Sequence, residues 1–229
     1  MKSLHNIQLL MVMSLVFCGQ TMFAMDADMA GQALWNAARL GNLENVQAAI
    51  AAGANVNTAN NAGITPLMFA LWGRNLGIVQ ALILAGLDVN VRNDNGGTAL
   101  MSAACFDHLG IVQALIAAGA DVNLVDNDGG TALICAVCCN SLNIVEALIA
   151  AGADVNARGI DDDMTLLMYA ALEGSLEMVQ AIINADGFDP DQLQPIIDYL
   201  HAKENKKPVE QEILDILQER QTFNPMGLK

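Results

Sequence analysis

Gly86-Leu87-Asp88-Val89-Asn90, Gly119-Ala120-Asp121-Val122-Asn123 and Gly152-Ala153-Asp154-Val155-Asn156 are one phrase written three times, and Gly53-Ala54-Asn55-Val56-Asn57 precedes them as a fourth copy. The glycines stand 33 residues apart each time. Between and after them come Thr65-Pro66-Leu67, Thr98-Ala99-Leu100, Thr131-Ala132-Leu133 and Thr165-Leu166-Leu167, the last interval being 34 because one residue is inserted near Asp161-Asp162-Asp163. Self-similarity at a fixed period of this length points to stacked structural units.

Each unit reads the same way. A Gly/Asn/Asp-rich turn such as Asn93-Asp94-Asn95-Gly96-Gly97 has no apolar period and must reverse the chain. Thr98 then caps a helix by accepting a backbone N–H bond, and Leu100, Ala103 and Ala104 give that helix its apolar side. Asp107 stands where a residue near the left-handed region ends the helix; Asn140, Gly41 and Gly174 hold the matching places. A second helix carries Ile111, Val112, Leu115 and Ile116 on one face, and Gly119 closes it. So short a pair cannot bury both apolar sides alone, so the units must stack. The expected class is all-α.

At this point the chain resembles the ankyrin repeat, a 33-residue unit with a T-P-L-H-x-A signature. Thr65-Pro66-Leu67-Met68-Phe69-Ala70 matches it except at the histidine, which is replaced by Met68, Met101, Ile134 and Met168 in the four units. The usual imidazole hydrogen bonds are therefore expected to be absent and the space filled by packing. The first unit lacks its turn and begins at Ala33-Leu34-Trp35-Asn36-Ala37-Ala38. The resemblance runs from about residue 30 to 189 and implies a solenoid of helix-turn-helix units with protruding turns, about five repeats over 25–189. Beyond Asp189 the register fades. Leu193, Ile196, Ile197 and Leu200 predict one helix, and Val209, Ile213, Leu214 and Leu217 a second after Pro208. Residues 190–229 are read as a degenerate C-terminal helical cap and tail.

The opening residues differ from the rest. Lys2 and His5 lead into an apolar run from Leu9 to Cys18, followed by Gly19-Gln20-Thr21, Ala24 and acidic Asp26 and Asp28. This is the layout of a signal peptide over 1–24, with a run too short to span a bilayer. Two other readings are an acylated Cys18, disfavoured by the bulk of Phe17, and a buried N-terminal helix. The expectation is an exported chain, periplasmic or secreted, or a cytoplasmic one if the signal is not real, with no stable membrane span after removal.

Composition excludes several functions. Ten basic against 25 acidic residues give a net charge of −15, which disfavours nucleic-acid binding. The histidines His5, His108 and His201 are scattered over distant parts of the chain, and no Ser or Cys has an evident base partner. Cys135-x-x-Cys138-Cys139 lacks a second half at ligand spacing, so no zinc site is expected. Cys105 and Cys138 are equivalent positions on packed helices ~8–10 Å apart, too far for a disulfide, and the cysteines are read as small apolar packing residues. Asp126-Asn127-Asp128-Gly129 lacks the spaced acidic ligand of an EF-hand loop. No cofactor, metal or catalytic residue is expected.

What the resemblance implies for function is a concave groove built from the turn tips and the first helices, where a partner protein binds. The helix-end contact positions fall seven and eight residues after each Thr. They are Trp72 and Gly73, Cys105 and Phe106, Cys138 and Cys139, Leu172 and Glu173, with Arg39 and Leu40 in the first unit. The tips add Asn61, Asp94, Asn95, Asn127, Asp128, Asp161 and Asp162, with Arg92 and Arg158 alongside. Large apolar side chains at contact positions point to binding anchors; the competing reading packs them sideways onto the next unit. An apolar trough with an acidic rim suits a protein with apolar anchors and basic flanks. The expected function is non-catalytic: a monomeric protein-binding module, secreted or host-directed. The alternative is a structural spacer without a dedicated partner.

Overall fold

The computed structural model describes residues 27–59, 64–159, 164–203 and 206–223. The expected signal peptide, Asn61, Asp161 and Asp162 lie outside the described residues. Among the described residues the chain forms twelve α-helices and no strand. They are α1 (Ala27–Arg39), α2 (Leu43–Ala51), α3 (Pro66–Trp72), α4 (Leu76–Leu84), α5 (Ala99–Cys105), α6 (Leu109–Ala117), α7 (Ala132–Cys138), α8 (Leu142–Ala150), α9 (Leu166–Glu173), α10 (Leu176–Ile183), α11 (Leu193–Ala202) and α12 (Pro208–Phe223). A 3-10 turn, Pro190–Gln192, leads into α11.

The helices stack in two layers. Odd-numbered helices form the inner row, even-numbered ones the outer, and each packs on its own partner and on its counterpart in the next unit. Thr65, Thr98, Thr131 and Thr165 begin the inner helices, each side chain accepting from the backbone N–H three residues on. In one unit the replacement does more than fill space: the Met101 thioether accepts from the Thr98 N–H at 3.4 Å. The methionine thus stands in for an imidazole acceptor there.

The inner helices end in the left-handed region at Gly41, Arg74, Asp107, Asn140 and Gly174. Arg74 is the one that sequence reasoning passed over, since a long side chain is unusual at positive φ. Its guanidinium donates to the Asp107 carbonyl at 3.3 Å, tying this turn to the next one. The outer helices α2, α4, α6 and α8 are each followed by a glycine at positive φ, Gly119 at φ 87 among them.

The core is continuous along the stack. Ala70, Ala103, Ala136 and Ala170 are fully buried, and so are Val79, Val112, Val145 and Val179. Small residues let the inner helices approach closely, while the outer ones supply branched bulk.

Asparagines link the units at the turns. Asn90 Oδ1 accepts from the Asp121 N–H at 2.8 Å, and its Nδ2 donates to the Gly119 carbonyl at 3.2 Å. Asn123 does the same with Asp154 and Gly152, and Asn156 with Asp189 and Gly187. The last link carries the register past the point where the sequence loses it. Gly187 has φ 80, and Asp189 takes the Asp191 N–H as Asp154 takes that of Asn156.

One reading changes. The first inner helix starts by Ala27, not Ala33, so the missing turn is replaced by extra helical length that buries Ala30. In the C-terminal pair, Glu210 is buried and bound by Lys203 Nζ at 2.8 Å and by the Lys207 N–H at 2.9 Å.

Candidate partner-binding groove

The inner helices present their C-terminal ends in a row, because units of one length repeat one geometry. The predicted helix-end residues all lie there and are exposed: Arg39, Leu40, Trp72, Gly73, Cys105, Phe106, Cys138, Cys139, Leu172 and Glu173. Leu40 is 69% exposed, Trp72 53%, Phe106 47% and Leu172 40%, far more than apolar side chains of this size in the core.

Neighbouring side chains support these anchors in ways the repeat register did not reveal. Trp72 stands edge-on to Phe69, with ring centroids 5.3 Å apart, and Phe69 stands edge-on to Trp35 at 4.9 Å. Trp35 donates its indole N–H to the Ile64 carbonyl at 3.3 Å, and the Arg39 guanidinium lies 5.9 Å from its ring. Edge-to-face aromatic pairs are worth ~0.5–1.5 kcal/mol beyond their buried area. Trp72 is therefore held in place on one side while half its surface faces solvent. The signal in the sequence was the i, i+3 pair Phe69 and Trp72, which share a helix face. Phe106 packs against the His108 ring at 5.7 Å.

The tips are built by side chains that close their own turns. Asn93 Oδ1 accepts from Asn95 and Gly97 N–H, and Asp126 Oδ1 does so from Asp128 and Gly130. Arg92 donates to the Gly96 carbonyl at 3.0 Å and to the Val125 carbonyl at 2.6 Å. Asn127 donates its backbone N–H to the Asn95 carbonyl at 2.9 Å and its side-chain amide to the Asp94 carbonyl at 3.1 Å. A Cβ at Gly96 would meet the Arg92 guanidinium at 2.6 Å and the Asn127 amide oxygen at 2.7 Å. Only glycine fits so crowded a place at φ 76. Arg92 and Asn127 are thus straps between the third and fourth tips. The Asp94 and Asp128 side chains stand exposed beside them. Arg158 is exposed, and its backbone pairs with Thr165 across the fifth tip.

The reading of the cysteines as packing residues holds for one of them: Cys135 is half-buried against the core, whereas Cys105, Cys138 and Cys139 are exposed. The Cys135 thiol on the next unit favours the Cys105 thiolate and, with a smaller effect of Cys139, brings it down to about 7, against burial, which opposes it. Cys135 is pushed up first by Cys105 and then by its burial. Burial also raises Cys138 and Cys139.

Paired helices stacked in register, with capped inner helices and projecting turns, define a helical repeat protein with a groove along one side. Models of ankyrin repeats match the chain over residues 34–83, 73–159 and 140–183, and the chain belongs to the ankyrin-repeat family. Ankyrin repeats are in general protein–protein interaction modules and typically non-catalytic. No curated protein matches the chain. No described helix is long and apolar enough to cross a membrane.

Proposed function

We propose that this chain is a non-catalytic binding module that takes a partner protein along the concave groove, using Leu40, Trp72, Phe106 and Leu172 as anchors. The carrying observation is that these four large apolar side chains stand exposed at one or other of two adjacent helix-end positions in four of the five units. Aromatic anchors beside polar rims dominate binding energy in protein interfaces. With Asp94 and Asp128 at the tips and a net charge of −15, the partner's flanks are basic. Arg92 and Asn127 support the groove by holding the tips. The layout of residues 1–24 supports an exported chain acting outside the cytoplasm, and N-terminal sequencing of protein from its native cell tests this: an intact Met1 start in cytosolic material refutes it.

The binding test compares the affinity of an isolated partner for Trp72→Ala and Phe106→Ala with that for Leu84→Ala. Leu84 ends outer helix α4 and is 89% exposed, which makes it the control. Each anchor variant should lose ~2 kcal/mol or more of affinity and the control almost none. Thermal melts run alongside, since loss of Trp72 removes one neighbour of Phe69. Parental affinity in both groove variants, with loss in the control, refutes the groove assignment. A spacer role is favoured by one observation, the straps that join the tips, and predicts no partner sensitive to either variant.

A further inference from the structure

A cavity of about 450 Å³ opens between the second and third units, within the ~300–1,000 Å³ typical of small-ligand sites. Val56, Leu67, Met68, Leu87 and Val89 give it apolar walls, and exposed Asp88 and Asp94 are its acidic members. The next junction along the stack, between the third and fourth units, carries two straps. There the Arg92 guanidinium reaches the Val125 carbonyl at 2.6 Å, and the Asn127 amide donates to the Asp94 carbonyl at 3.1 Å. One repeat earlier, Ala59 holds the place of Arg92 and Asp94 that of Asn127, and both line the cavity. Alanine has neither reach nor donor, so it leaves open the space that a guanidinium takes one unit on. A carboxylate has no N–H to give, so Asp94 brings negative charge where Asn127 brings a strap. Among the described residues the Asp94 carboxylate bonds to no other group. The carbonyl that corresponds to that of Val125 is the one of Arg92 itself, and among the described residues it accepts no hydrogen bond. The Arg92 guanidinium is engaged by the Gly96 and Val125 carbonyls, and two aspartates outweigh its charge at the cavity.

Resting on the groove reading above, we propose that this cavity takes an arginine side chain of the bound partner, which supplies between the second and third units the strap that Arg92 supplies between the third and fourth. The methylene stem lies along Val56, Leu67 and Val89, and the charged head stays at the wet end beside Asp94. Its N–H groups donate to the Arg92 carbonyl as those of Arg92 donate to the Val125 carbonyl. The planar fork serves the carbonyl and the Asp94 carboxylate together, which the single ammonium centre of lysine does less well. Met68 stands one helical turn before Trp72 on α3, so a partner anchored on Trp72 has the cavity within about two residues of extended chain.

The experiment uses the full chain, isotope-labelled, with N-acetylarginine amide as the probe and backbone amide shifts as the readout. Saturable shifts are expected at Val91, Asp94 and Ser102, with a Kd on the order of 1 mM for a ligand of this size. The citrulline analogue keeps the shape without the charge and should bind about ten-fold more weakly or worse. Ala59→Arg fills the cavity from within, so it should abolish the shifts and raise the urea midpoint. Asp94→Asn changes one exposed group and leaves the fold alone; it should weaken the probe about two- to five-fold at low salt and less at high salt. Trp72 lies outside the cavity lining, so Trp72→Ala should leave probe binding unchanged. No saturable shift in the parent overturns the proposal, as do shifts that survive Ala59→Arg in a folded chain. So does equal binding of the arginine, citrulline and lysine amides. Partner affinity that falls in Trp72→Ala but not in Ala59→Arg also overturns it, and leaves the groove standing.

Discussion

Replacing Asn123 by alanine removes one bridge between the third and fourth units and leaves the core untouched. The Asn123 side chain accepts from the Asp154 N–H at 2.8 Å and donates to the Gly152 carbonyl at 3.0 Å. Its own backbone N–H still meets Asp121 in the variant. A net hydrogen bond is worth ~0.5–1.5 kcal/mol, and these exposed groups recover part of that from water, so the pair comes to ~1–2 kcal/mol. In a solenoid this is a loss of coupling between neighbours rather than of stability within a unit. Urea titration of the full chain should show a midpoint lowered by ~0.5–1 M and a shallower slope, since weakened coupling lets the two ends unfold apart. Asn57 gives the graded comparison. It accepts from the Asp88 N–H at 3.1 Å and makes no second link to its neighbour. Asn57→Ala should therefore cost about half as much. An unchanged midpoint for Asn123→Ala, or an equal loss for both, refutes the view that side-chain links at the turns couple the units.

Three further outcomes follow from single positions. A Cβ at Gly119 meets nothing within 4 Å, so Gly119→Val tests backbone strain at φ 87 alone; a loss of ~1–3 kcal/mol is expected in the same titration, and no loss refutes it. His108 occupies the N-cap place where Asn42 and Asn75 cap with their side chains; it makes no cap bond, and its Nδ1 is buried without a partner. His108→Asn should stabilise by ~1 kcal/mol. Burial and then Arg74 depress His108, so the parent loses stability as pH falls below about 6.5 and the variant should not, which melts at pH 8 and pH 5.5 would show. Glu210 is depressed by Lys203 and then by the Lys207 N–H, so its contribution is complete above about pH 4.3 and is lost as pH falls through the lower folded value. Glu210→Gln should speed hydrogen exchange in α12 at pH 7, with the difference vanishing toward pH 3.

The repeat was legible because its constraints recur. Leu67, Leu100, Leu133 and Leu167 meet one environment four times, and so the spacing alone gave helices, caps and stacking order. What stayed hidden lies between units, where register equivalence misleads. The sequence pairs Cys105 with Cys138, since both stand seven residues after a threonine. Across the packed helices it is Cys135 and then Cys139 that favour the Cys105 thiolate. Arg92 looked like a rim charge because arginine at a tip is ordinarily solvated. Its 2.6 Å bond to Val125 appears only once the next tip is placed beside it. Asp189 looked like the end of the pattern because the spacing from Gly152 to Gly187 is 35, yet Asn156 crosses to it as its equivalents do.

The units also differ among themselves, and where they differ bears on the proposed function. Five residues after each threonine stands an alanine, at Ala70, Ala103, Ala136 and Ala170, and every one is fully buried. Seven and eight residues after stand Trp-Gly, Cys-Phe, Cys-Cys and Leu-Glu. The backbone environment at the helix end is the same in each unit, so the stack has one requirement there, not four. Side-chain packing accounts for part of the variation: Trp72 leans on Phe69, and Phe106 on His108. It does not account for the rest, since each of these side chains still faces solvent over 40% or more of its surface, as does Leu172. Both tryptophans of the chain stand at one end of the groove, and the thiols occupy its middle. A surface that serves only to cover the core has no use for that gradient. A surface read along its length by one extended partner does.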